Sequence, residues 1–67
     1  MNEESFNLST RGFLKRFGIY AQRQIERAVE DGVRAGRLRG HETLKARATL
    51  ELDGHRLGDV QGDITLA

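Results

Sequence analysis

The chain has no cysteine, no proline and no tryptophan. Without thiols there is no disulfide to staple a small fold, no thiolate site for zinc or an iron–sulfur cluster, and no sulfur nucleophile. Without proline, the punctuation of the chain falls to its eight glycines. Long apolar runs are also missing: nothing approaches the eighteen or so apolar residues that cross a bilayer. The acidic start Met1-Asn2-Glu3-Glu4 is not followed by the apolar segment of a secretion signal. A soluble, cytoplasmic protein without a membrane partner is expected. Charge of one sign is scarce as well. The net charge of +1 divides into eight Lys/Arg against five Asp/Glu in residues 1–40 and three against five in residues 41–67, a weak basis for a polyanion partner.

With 67 residues there is room for one domain, at the small end of what folds unaided. Area scaling gives about 11,000 Å² for the unfolded chain and about 4,000 Å² for a folded monomer of this mass. The burial this allows is nearly offset by the entropy of ordering the chain, so a chain of this size usually needs a disulfide, a structural metal or a partner. The first is excluded, and two His residues cannot close a structural zinc site alone. Oligomerisation remains, and a homodimer is the expectation.

Phe6, Thr10, Phe13, Leu14 and Phe17 fall on one helical face, and Asn2 can cap the helix with Glu3 and Glu4 set against its dipole, unless it starts nearer Ser9. Gly18 followed by Ile19 fits a Schellman exit, which predicts a first helix over about 3–17. A second helix is predicted over about 21–35, with a buried stripe of Ala21, Ile25, Ala28, Val29 and Gly32. Its outer face pairs Arg27 with Asp31 and Glu30 with Arg34 at i,i+4. Gly36 and Gly40 bracket a hinge, with Leu38 and Leu44 pinning the crossover to the core.

Beyond the hinge, Ala46, Ala48, Leu50 and Leu52 alternate with Arg47, Thr49 and Glu51, and Val60, Ile64 and Leu66 resume the pattern. Strands are expected over about 46–52 and 60–66. Between them lies either a long loop or a tight Asp53-Gly54 turn with Leu57 opening the second strand, and Gly62 suggests a bulge. The expected fold is α+β in a single domain, 1–67: two helices, then a two-stranded antiparallel hairpin. Its sheet would extend across a homodimer, with a domain-swapped exchange of the tail as the sharper form. Dimer and core contacts fall to Phe13, Phe17, Ile25, Val29, Leu50, Leu52, Ile64 and Leu66.

Several landmarks together resemble a family of short proteobacterial proteins of unknown function. They are Phe6-Asn7-Leu8-Ser9, Phe13-Leu14-Lys15, Gly18-Ile19, Gln22 with Ile25-Glu26, Ala28-Val29, Gly40 with Glu42-Thr43-Leu44, and Leu50-Glu51-Leu52. The resemblance covers nearly the whole chain and implies a self-contained small domain, with no activity to carry over. Tyr20-Ala21 departs from the pattern, which tends to carry a Thr or Ser there able to cap a second helix.

No constellation points to chemistry. Ser5 and Ser9 lack a nucleophile elbow, and the glycines form neither a dinucleotide fingerprint nor a P-loop. His41 and His55 with Asp53, Asp59 and Asp63 match no zinc or calcium spacing, and Asp and Gly are ordinary turn residues. No catalytic residue, metal or cofactor is expected, and the chain reads as a non-enzymatic structural or protein-interaction module, binding itself and a protein partner of unknown identity. The alternative is weak nucleic-acid binding through Arg11, Lys15, Arg16, Arg23 and Arg27, with Phe6, Phe13 and Phe17 as stacking platforms. Glu26, Glu30 and Asp31 weigh against it, and aromatics at helical spacing more often form a core.

Overall fold

A computed structural model describes residues 1–67. It consists of one helix, α1 (Glu3–Arg34), and two strands, β1 (Thr43–Leu52) and β2 (His55–Thr65). At ~1.5 Å per residue α1 is about 48 Å long, nearly the full 51 Å of the molecule, whose other dimensions are 20 and 19 Å. A hairpin of about 33 Å fits those dimensions only by running back alongside the helix.

The helix starts at Asn2, whose Oδ1 accepts from the Ser5 amide at 3.0 Å, and Glu3 and Glu4 occupy its first turn. It ends in a Schellman motif. The Arg37 amide donates to the Gly32 carbonyl at 2.8 Å and the Gly36 amide to the Val33 carbonyl at 3.1 Å, with Gly36 at φ +82°. The Leu38 amide also reaches the Gly32 carbonyl, at 3.0 Å, and its side chain folds over Gly32 so closely that a Cβ there would stand 2.7 Å from Leu38 Cδ1.

Two predicted helices are therefore one. Gly18 does not end the first: residues 18–21 are helical, and the exit expected there is made at Gly36. The physical reason lies in the phase of the apolar pattern. Leu14, Ala21, Ile25, Ala28 and Gly32 stay on one face across Gly18, so a break would swing half of that face away. Holding it together outweighs the ~1 kcal/mol that a mid-helix glycine costs. On the outer face, Arg34 pairs with Asp31 at 2.8 Å rather than with Glu30.

The strands pair antiparallel from Thr43↔Thr65 to Leu52↔His55, starting earlier than their alternation suggests. Asp53 (φ 50°) and Gly54 (φ 82°) form the two-residue turn, the left-handed pair that matches strand twist. The irregularity falls at Leu50/Glu51, where Leu57 is extra on β2, whereas Gly62 pairs regularly with Ala46. The pairing puts Leu44, Ala46, Ala48 and Leu50 on one face with Ile64, Gly62, Val60 and Gly58. Thr43, Lys45, Arg47 and Thr49 take the other face with Thr65, Asp63, Gln61 and Asp59, including a Lys45–Asp63 ion pair at 3.6 Å.

The sheet has these two strands only, with both outer edges open. Neither a sheet continued across protomers nor a swapped tail is present. The motive for a swap fails as well, because the glycine-bracketed segment is not a free hinge. It is closed by the helix-exit bonds and by the Glu42 carboxylate, which accepts from the amides of Arg39, Gly40 and His41.

Gly32 is the only fully buried residue, and the surface measures 6133 Å². That is about 2,000 Å² more than area scaling assigns to a compact chain of this mass. Of the expected core, Ile25, Val29, Ile64 and Leu66 are half-buried, while Phe13, Phe17, Leu50 and Leu52 are exposed.

The Gly32–Leu38 contact makes a prediction. Gly32→Ala gains about 1 kcal/mol of helix propensity but displaces Leu38, and a net loss of about 1 kcal/mol is expected in thermal melts because overpacking costs more. In a Leu38→Ala background the same substitution should no longer destabilise.

Candidate interaction cleft

Successive helical residues turn by about 100°, which sorts the apolar residues of α1 into two adjoining rows. One row, Ala21, Ile25, Val29 and Gly32, is half-buried or buried and faces the hairpin. The other, Phe6, Phe13, Phe17 and Tyr20, lies roughly a quarter turn round the helix and is exposed, Phe17 by 44% and Tyr20 by 65%. Between helix and hairpin runs an open cleft of about 580 Å³. Its helical wall includes Phe17, Tyr20, Ile25 and Val29, and its hairpin wall Leu44, Ala48, Val60 and Ile64. Small residues widen it: Ala21 and Ala28 on one side, Ala46 and Gly62 on the other. Val60, on the inner strand face, is still 72% exposed. Inward-pointing apolar groups thus meet space instead of a second layer.

The connector holds the two walls at this separation. Glu42 Oε2 accepts from the Arg39 amide at 2.9 Å, and Oε1 from the Gly40 amide at 3.0 Å and the His41 amide at 3.2 Å. These donors favour the ionised form, so the Glu42 carboxyl lies below the usual glutamate range. The Arg39 amide is the largest cause, opposed by partial desolvation and aided by the Glu42 and Gly40 amides and the His41 charge.

The expected phosphate contacts do not form one patch. The unbroken helix puts Arg16, Arg23 and Arg27 in a single row with Arg34, whereas Arg11 and Lys15 lie on another side. His41, His55, Asp53, Asp59 and Asp63 do not converge: no three His, Asp or Glu side chains gather where a metal could be held. Asp59 is engaged elsewhere, with Oδ2 accepting from Arg56 at 2.8 Å, while Oδ1 is buried without a partner. No helix is long and apolar enough to cross a membrane. The cleft itself escaped sequence reasoning because a helix read as broken at Gly18 cannot show two continuous rows. The seven-residue recurrence of Phe6, Phe13 and Tyr20 was the available signal.

A depressed carboxyl pKa supports the fold above the ordinary glutamate value of about 4.3, and the support is lost as pH falls through the lowered value. The difference in melting temperature between the wild-type chain and Glu42→Ala should therefore be present at neutral pH, shrink as pH falls below the ordinary glutamate range, and vanish once the lowered value is passed. At neutral pH the variant should also lose hydrogen-exchange protection at Arg39, Gly40 and His41.

No curated protein and no solved structure matches this chain. A match does extend over all of residues 1–67 to the Family of unknown function (DUF6494), and the chain belongs to that family.

Proposed function

We propose that this protein is a non-enzymatic interaction module whose working form is a homodimer, held by the aromatic row of α1 and the open cleft beside it. The observation that carries the reading is the uncovered apolar face: a surface of 6133 Å² with no buried hydrophobic residue. The excess of about 2,000 Å² per chain amounts to about 4,000 Å² for a pair, within the range of obligate homodimer interfaces. A second copy is the partner that satisfies both chains at once, since each brings the same deficit. The contact runs through helix and cleft, with each tail kept on its own helix. The reading is a non-enzymatic one: the lining of the cleft is mostly apolar, with Tyr20, Lys45 and Arg47 its only ionisable members, and no three His, Cys, Asp or Glu side chains gather to hold a metal.

Sedimentation of the full chain at micromolar concentration should give about twice the 7.5 kDa chain mass, with a melting temperature that rises with protein concentration. Phe17→Glu should weaken association at least a hundredfold, since two buried rings are lost per dimer at about 1.5–3 kcal/mol each. A monomer that melts cooperatively and independently of concentration would defeat the proposal.

A second reading, weak nucleic-acid binding, draws support from the arginine row. Arg16, Arg23, Arg27 and Arg34 share one face of an unbroken helix over about 27 Å, although Glu30 interrupts the row and Asp31 pairs with Arg34. If the row binds duplex DNA, replacing Arg16, Arg23 and Arg27 with Gln should flatten the slope of log affinity against log salt by about 2.7. Absence of binding at low salt would dismiss this reading.

A further inference from the structure

Resting on the homodimer reading, we propose that the two α1 helices pair antiparallel along the exposed aromatic row, about a two-fold axis at the level of Lys15. The row is a seam. Phe6, Thr10, Phe13, Phe17, Tyr20 and Gln24 follow one another at alternating intervals of four and three residues, the spacing by which one helix packs along another. The same helix carries a neighbouring seam with this spacing, Leu14, Ala21, Ile25, Ala28 and Gly32, on the side its own hairpin occupies. The hairpin stands across the open cleft from Ala21, Ile25 and Ala28 and from the inner edge of the aromatic seam at Phe17, Tyr20 and Gln24, and the aromatic rings stay exposed because nothing in the chain packs on them.

For an antiparallel pair, the order of residues along the aromatic seam sets the register, and the charges beside it set the direction. Antiparallel pairing about Lys15 sets Phe13 against the partner's Phe17, Thr10 against the partner's Tyr20, and Phe6 against the partner's Gln24. All six positions are used, and the four phenylalanines nearest the axis meet. Sliding the helices by one step places Phe6 opposite the partner's Asp31 in one sense, or Tyr20 opposite the partner's Glu3 in the other. Charge favours the same direction. A parallel pair would set Glu3 and Glu4 beside their own copies and Arg23 and Arg27 beside theirs, whereas the antiparallel pair brings Glu3 to the level of the partner's Arg27. The N-terminal half of each helix then lies along the open side of the other chain's cleft, near Val60, and both hairpins fall on the same side of the helix pair. The product is a two-layer body built from two half-filled ones.

Single cysteines introduced at the exposed positions Ser5, Arg16 and Glu30 of this cysteine-free chain, each carrying a spin label, test the arrangement by pulsed dipolar spectroscopy. The separation between labels should be shortest at Arg16, with axial components of about 30 Å at Ser5 and about 45 Å at Glu30, because each residue away from the axis adds about 3 Å. Equal short distances at all three positions in a sedimenting dimer would overturn the antiparallel arrangement and leave self-association standing. A minimum displaced from Arg16 would overturn the register. A monomeric mass with no dipolar coupling would overturn this proposal together with the reading beneath it.

Discussion

The fold turns on the contact between Gly32 and Leu38. Leu38 can fold back across the helix only because Gly32 carries no Cβ, and the Gly32 carbonyl anchors the reversal by accepting two amides, Arg37 and Leu38. From that point the Glu42 carboxylate gathers the next three amides, so the chain leaves the helix along a defined path. The hairpin is therefore aimed back along α1 and not out into solvent, and the apolar faces of both elements look into one cleft. Without this reversal the same helix and hairpin would be two marginal elements with nothing to share.

What the reversal does not do is complete a core. One helix laid along two strands covers each strand from a single side, and the closest packing is at the connector, where Leu38 folds onto Gly32 and Leu38 and Leu44 are half-buried. Toward the turn the walls part: Leu50, Leu52 and Leu57 are exposed by 43%, 65% and 58%. Stability in such a body is coupled to association, because apolar area left uncovered in the monomer contributes only when something covers it. Small residues at Ala21, Ala28, Ala46 and Gly62 accentuate the effect, since they open space that this chain cannot fill with its own side chains.

Much of this was legible in the sequence, and the errors of connection, at Gly18 and at the supposed hinge, share one origin. Alternation in residues 46–52 marked the first strand, the Asp53-Gly54 turn was one of two readings left open, and Asn2 and Gly36, read as bounds of two separate helices, with Ser9 as another start, bound a single one. The break placed at Gly18 came from reading a local exit signal ahead of a longer-range one. A glycine followed by an apolar residue satisfies the local geometry of a Schellman motif, but whether a helix stops there depends on which faces remain in phase beyond it. The same local reading made Gly36 to Gly40 a loose hinge, because carboxylate capture of loop amides by Glu42 leaves little trace in composition. Exposure of Phe13 and Phe17 was illegible for another reason: periodicity tells which residues share a face and says nothing about whether the chain has a layer left to cover it.

The polar members of the aromatic seam bear on partner choice more than on affinity. Thr10 and Gln24 occupy positions where a seam optimised for strength would carry leucine, and a polar group at such a position lowers stability while restricting which alignments are tolerated. In the antiparallel pairing each finds a compatible level: Thr10 lies opposite the hydroxyl-bearing Tyr20, and Gln24 falls at the outer end of the contact, where water satisfies its amide. An uninterrupted apolar helix offered as a competitor would leave Thr10 facing hydrocarbon at mid-seam and would pair no group with the Tyr20 hydroxyl, a desolvation cost that self-pairing avoids. In the proposed dimer, selectivity for its own kind would follow from two residues that weaken the seam and four aromatic ones that make it.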